Sequence, residues 1–179
     1  ITGNDLLNQI VKMKGITDPK LILEKMNEGL LGRLHSTLDT DIKDGMDMSI
    51  CKITSENGEH KVDYAGAFNP LYYVVNKEIH EIKGNRFAIG TPLNEEQSWQ
   101  GESIVLPKDT MVYLFSDGYH DQLGGKKGKK FMKSKFRQLL VEISDLEVQV
   151  QHDKLKSNFD EWSGEMAQVD DVLVMGIRL

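Results

Sequence analysis

Met111-Val112-Tyr113-Leu114-Phe115-Ser116-Asp117-Gly118 is an apolar run that stops abruptly at serine, aspartate and glycine. Its first five residues read as a strand buried in a sheet, and the last three as the turn that leaves it. Gln168-Val169-Asp170-Asp171-Val172-Leu173-Val174-Met175-Gly176 reverses that order, placing two aspartates before an apolar strand read over Val172–Ile177. A carboxylate at a strand end sits on a rigid scaffold yet meets solvent, which suits a metal ligand. Hard cations such as Mg²⁺ or Mn²⁺ take oxygen ligands, often one or two carboxylates with water filling the rest. The glycine after Asp117 permits a sharp turn or a close backbone approach. The same residues also fit a common Asp-Gly turn and a solvated acidic pair, and spacing alone leaves both readings open.

Upstream, the residues from Met46 to Ile53 alternate with period two, as a strand does. Asn57-Gly58 supplies the positive φ of a two-residue hairpin, and His60–Tyr64 is the return strand. Leu71–Val75 and Glu78–Ile82 form a second hairpin about Asn76-Lys77, and Glu102–Leu106 is a further strand. Before the strands, Asn4–Met13 carries apolar residues at helical spacing. Thr17-Asp18-Pro19 then opens a second helix running to about His35, and 41–45 is a polar turn. After them, helices are read from about Lys130 to Ile143 and from about Leu146 to Trp162. Helix pair, antiparallel strands, helix pair, strand is an α+β order rather than alternating βαβ. No repeat or linker divides the chain, so 1–179 reads as a single domain, with 1–36 a helix pair and 44–179 the sheet and helix body.

Composition limits the functions. The chain has 179 residues and a formal charge of −6, which disfavours a nucleic-acid binder held by phosphate contacts. The lone cysteine, Cys51, excludes an internal disulfide and a Cys-based zinc site. No apolar run approaches the ~18 residues that span a bilayer, so the expectation is a cytoplasmic domain without direct membrane contact. The chain opens at Ile1, not Met, and reads as a piece of something longer.

Other motifs are weaker. Ser116, His120 and Asp121 invite a nucleophile–base reading, but no Gly-x-Ser-x-Gly elbow surrounds the serine. Gly124-Gly125-Lys126-Lys127-Gly128-Lys129-Lys130 lacks the spacing of a P-loop. The basic run continues through Lys133, Lys135 and Arg137 with no acid among them; it is a solvated face or an attractor of anionic substrate. The five histidines are scattered and read as structural or surface residues. The apolar stripes of the first two helices read as core or as a partner-facing surface.

Several motifs occur together in order: Asp44-Gly45-Met46-Asp47-Met48, Tyr64-Ala65-Gly66-Ala67-Phe68-Asn69-Pro70-Leu71, Ile89-Gly90, Leu114-Phe115-Ser116-Asp117-Gly118 and Val169-Asp170-Asp171-Val172. This set resembles the stage II sporulation protein E-like branch of the metal-dependent PPM (protein phosphatase 2C-like) serine/threonine phosphatases, over essentially the whole chain. The resemblance implies an α-β-β-α sandwich of two antiparallel sheets with helices outside. It implies hydrolysis of phosphoserine or phosphothreonine with two Mn²⁺ or Mg²⁺ ions. Asp117 and Asp170 match family metal ligands, and Gly118 and Asp171 fall in supporting positions.

The family also uses an upstream Gly-Asp and a further Asp before a Gly-His-Gly-type turn, and neither sequence occurs here. The chain is therefore expected to lack the first strands, to bind metal weakly and to be nearly inactive alone. An exposed sheet edge would then invite dimerisation. The implied substrate is a phosphorylated regulatory protein in bacterial signalling. The implied partner is an upstream sensor domain in the parent chain, coupled through the first two helices by Leu6, Ile10, Leu23, Met26 and Leu30; whether that parent is membrane-anchored upstream is left open. The competing reading is a phosphatase-like module that binds a partner without turnover.

Overall fold

A computed structural model of the protein describes residues 2–34 and 45–179. Residues 41–44 of the polar turn read at 41–45, with Asp44 of the first motif, and the helix end at His35 lie outside the described residues. The architecture is α+β: antiparallel sheets, each carrying helices. The chain resolves into two compact units, residues 1–70 with 82–106 and residues 71–81 with 107–179.

In the first unit, helix α1 (Thr2–Asn8) runs on as a π-helical turn over Gln9–Met13, and α2 spans Pro19–Leu34. Asp18 starts α2, its carboxylate accepting from the Leu21 N–H at 2.9 Å. Strands β1 (Met48–Glu56), β2 (Glu59–Ala67) and β5 (Glu102–Leu106) form an antiparallel sheet in the order β1-β2-β5. Asn57 and Gly58 take φ of 52° and 83°, as the hairpin reading requires. Leu6, Ile10, Leu23 and Met26 are buried against Ala65, Ala67, Ile89 and Trp99, and Leu30 packs on the rim of this core. The helix faces therefore cover their own sheet.

The second unit holds β3 (Leu71–Val75), β4 (Glu78–Ile82), β6 (Met111–Phe115) and β9 (Val174–Arg178), in the order β4-β3-β6-β9. The β3–β4 turn falls at Asn76 and Lys77, both at positive φ. Its helices are α3 (Gly118–Asp121), α4 (Lys133–Ile143) and α5 (Val148–Ser163). Phe136, Leu140 and Ile143 of α4 are buried with Tyr72, Tyr113 and Phe115 of the sheet. Gln151 of α5 is buried too, accepting from the Tyr113 hydroxyl at 2.7 Å.

Of the boundaries that differ from the sequence reading, two have a local cause. The helix expected from Lys130 begins at Lys133, because Leu123–Gly124 (β7) and Lys129–Lys130 (β8) pair as a small hairpin. The last strand starts at Val174 rather than Val172, because the main chain of Leu173 is bonded to Ser116 just outside the sheet. No helix among the described residues is long and apolar enough to cross a membrane.

Candidate active site

Strand β6 is the internal strand between β3 and β9, and Val112 and Tyr113 are fully buried. Where it ends, the chain is tied to the segment leading into β9. The Ser116 N–H donates to the Leu173 carbonyl at 3.0 Å. Ser116 Oγ donates to the Asp171 carbonyl at 2.7 Å and accepts from the Leu173 N–H at 2.9 Å. Three hydrogen bonds thus bring the Asp117 segment beside the Asp170–Asp171 segment, 53 positions away in sequence.

Asp117 occupies the residue before α3, and its main-chain carbonyl accepts from the Asp121 N–H at 2.9 Å. Its carboxylate makes no capping bond and no ion pair among the described residues, and the residue is exposed. Gly118 is buried because the Asp171 main chain passes over it. A Cβ there would lie 2.9 Å from the Asp171 carbonyl carbon and collide with the carbonyl oxygen. Asp170 is exposed; one oxygen of its carboxylate accepts from the Asp171 N–H at 2.7 Å, and its carbonyl accepts from the Gln168 amide at 2.7 Å. Asp171 contributes its main chain to this arrangement, while its residue is exposed.

Gln122, which sequence reasoning passed over, is a hub. It is wholly buried. Its amide donates to the carbonyls of Leu123 and Ala167, both at 3.0 Å, and its side-chain oxygen accepts from the Val169 N–H at 3.2 Å. Its main-chain carbonyl accepts from the Trp162 indole and the Phe131 N–H, each at 3.0 Å. The residue after α3 therefore fixes the backbone immediately before Asp170. No local pattern marks it, since its partners other than Leu123 lie 9 to 47 positions away.

His120 is buried beside Phe115 and Phe136, and its Nδ1 has no hydrogen-bond partner among the described residues. Burial holds its pKa below the usual histidine value, and Lys133 pushes the same way against the pull of Asp121 and Asp117. Asp121 is held below the usual carboxylate range chiefly by its hydrogen bond from Lys130 at 2.7 Å. The Ser116–His120–Asp121 relay does not form: both Ser116 hydroxyl bonds go to the 171–173 main chain. Of the other described histidines, His60 bonds Ser55, His80 stacks on Tyr73 and His152 contacts Asp153.

The family model of stage II sporulation protein E matches residues 7–179. The chain belongs to that family. The match spans nearly all of the sequence and both units, so the PPM-type phosphatase relationship holds for the domain and not for one motif. Among solved structures, the SiaA-PP2C domain of Pseudomonas aeruginosa superposes with a TM-score of 0.83 at 23% identity, covering 99% of this chain and 68% of that one. The phosphatase domain of the cell fate determinant SpoIIE from Bacillus subtilis gives a TM-score of 0.56 at 18% identity, over 99% of this chain and 73% of that one. The PPM Ser-Thr phosphatase MsPP from Mycobacterium smegmatis, in complex with cacodylate, gives 0.62 at 14%, over 99% and 80%. At these identities the likeness establishes the fold. A comparison with curated proteins returns no match.

PPM phosphatases as a family use Mn²⁺ or Mg²⁺. The possible ligand atoms at the 116–118 and 170–171 segments are carboxylate, carbonyl and hydroxyl oxygens, the chemistry a hard divalent ion takes. Asp117 has the free carboxylate such a role requires. No group of three or more His, Cys, Asp or Glu side chains able to hold a metal occurs among the described residues.

Proposed function

We propose that this chain is the catalytic portion of a metal-dependent phosphoserine/phosphothreonine protein phosphatase in bacterial signalling, to which it contributes Asp117 and Asp170 as metal ligands. The clamp from Ser116 to Asp171 and Leu173 carries the reading, because it holds two acidic strand ends together with the Asp117 carboxylate unengaged. Phosphate monoesters are among the slowest bonds to hydrolyse unaided, with enzymatic accelerations up to ~10²¹-fold. Bound divalent ions would supply an activated water and neutralise charge on the phosphoryl oxygens.

The chain's own residues do the positioning. Ser116, Gly118 and Gln122 fix the backbone on either side of both carboxylates, so little ordering remains to be done when ligands arrive. Two carboxylates are a small set for a divalent ion, so the chain alone binds metal weakly and turns over slowly. The substrate class that follows is a phosphorylated regulatory protein. The α1–α2 layer, buried on the β1-β2-β5 sheet, is the element through which a sensor domain in the same polypeptide would act.

Mn²⁺ binding read by electron paramagnetic resonance, alongside Mn²⁺-dependent release of phosphate from a phosphoserine peptide, tests this. Asp117→Asn and Asp170→Asn should each weaken binding and abolish turnover. Binding and turnover kept in both variants would end the proposal. Protein–protein binding with no turnover in the natural full-length polypeptide would favour the non-catalytic module.

A further inference from the structure

Residues 122–141 carry seven basic side chains and no acidic one, in a chain whose net charge is −6. The structure shows which of the seven are occupied. Lys130 pairs with Asp121 at 2.7 Å, Arg137 pairs with Glu81 at 3.1 Å and lies over Tyr72, and Lys135 lies 4.1 Å from the centre of the Trp162 ring. Lys126, Lys127, Lys129 and Lys133 are exposed and have no anionic partner among the described residues. Lys126 and Lys127 form the tip of the β7–β8 hairpin, where the Gly128 N–H donates to the Gly125 carbonyl at 3.2 Å.

The hairpin is anchored. The Gly125 N–H donates to the Trp162 carbonyl at 2.8 Å, and the Gly124 backbone lies so close to Trp162 that any side chain there would collide with it. Its base is joined to Asp117 by the single turn of α3, and Lys130 grips Asp121 at the far end of that turn. Several unpaired ammonium groups crowded on one small rigid element repel one another, and an anionic partner relieves that repulsion.

We propose that the Lys126–Lys129 hairpin, with Lys133, docks an acidic segment of the phosphoprotein substrate beside the phosphorylated residue. This rests on the phosphatase reading of Asp117 and names the substrate class more closely. From the α3 rise and the hairpin length, the lysines stand about 10–20 Å from Asp117, which is about three to six residues of extended peptide. Acidic side chains at that separation from the phosphoserine would reach them. A nucleic acid is a poorer occupant. Specific nucleic-acid interfaces bury about 1,000–2,500 Å² of protein, far more than a short hairpin offers, and the rest of the chain is acidic.

The test is fluorescence anisotropy with labelled serine peptides bearing either acidic or neutral residues three to six positions from the serine, unphosphorylated and without metal. The wild-type chain should bind the acidic peptide about tenfold more tightly than the neutral one at low salt, with the advantage shrinking as salt rises. Lys126→Gln/Lys127→Gln/Lys129→Gln should remove most of that advantage, and Lys126→Glu/Lys127→Glu should reverse it toward a basic peptide. Equal binding of both peptides by the wild type, or an advantage kept in the triple variant, overturns the proposal. So does displacement of the acidic peptide by duplex DNA or phosphatidylserine vesicles at lower charge concentration than by the unlabelled peptide. Hydrolysis of the neutral phosphoserine peptide is scored separately. Because the chain alone turns over slowly, absent turnover counts against the phosphatase reading only together with Mn²⁺ binding unchanged in Asp117→Asn and Asp170→Asn, while the unphosphorylated peptides report on docking alone.

Discussion

Ser116 Oγ donates a 2.7 Å hydrogen bond to the main-chain carbonyl of Asp171 while accepting one of 2.9 Å from the Leu173 N–H. One short side chain thus acts as donor and acceptor to a segment 55 residues later, at the point where both acidic segments leave the sheet. The bonds leave the Ser116 hydroxyl with a structural role. They also set the spacing between the strand ends that carry Asp117 and Asp170.

Ser116→Ala removes both side-chain bonds but keeps the main-chain bond from residue 116 to Leu173. A loss of about 1–2 kcal/mol in stability is expected, the scale of two partly exposed hydrogen bonds. Urea unfolding at constant m-value measures it. Mn²⁺ affinity should fall in the same variant although no ligand is changed; unchanged affinity would mean that the clamp does not position the carboxylates.

Gln122→Leu keeps the approximate volume and deletes three side-chain hydrogen bonds, leaving the Ala167 carbonyl and the Val169 N–H short of a partner. Ala167 and Val169 are exposed, so water takes up part of the loss, and about 1–3 kcal/mol is expected for the three bonds. Amide exchange should show the 167–171 backbone losing protection before the β6 strand does. Uniform loss across the unit would instead make Gln122 a general core residue.

The contrast between Gln122 and Asp117 shows what the chain discloses when read as a string. Turn chemistry is local, so Asn57-Gly58 and the strand ends at Ser116–Gly118 are legible. The bonds of Gln122 and Trp162 join residues 40 and 47 positions apart, and no periodicity records them. The β7–β8 hairpin was hidden differently. Lysine and glycine lack the β-branched pattern of a strand, and the pairing of Lys129 with Gly124 depends on Trp162 packing that only the folded unit provides. The first helices read as core or as a regulatory face, and Leu23 and Met26 are wholly buried against their own sheet.

Gly118→Ala tests the close approach of the two acidic segments. Gly118 lies in the short α3 helix, so alanine suits its conformation and the penalty is steric alone. The new methyl would meet the Asp171 carbonyl, which is backbone and yields only if residues 170–172 move. Overpacking of this kind costs about 1–3 kcal/mol. Unfolding midpoints check the stability. A parallel drop in Mn²⁺ binding is the expected mark of a displaced Asp170.

His120 sets a pH dependence whose direction follows from burial. Its folded pKa lies below the ordinary value of about 6.5, held down first by desolvation and then by Lys133, with Asp121 and Asp117 opposing and Lys130 adding to the depression. As pH falls through about 6.5 the unfolded chain therefore takes up the proton first, and stability present above that pH is lost progressively toward the folded value. Asp121 does not blur this window, because its hydrogen bond from Lys130 moves its titration below the usual carboxylate range. Urea midpoints of the wild type should fall between pH 7.5 and 5.5, and those of His120→Phe should fall less over the same interval. At pH 7.5 the phenylalanine variant should be at least as stable, since it removes an Nδ1 that has no partner among aromatic neighbours. Equal pH slopes in the two proteins would place the titrating group elsewhere.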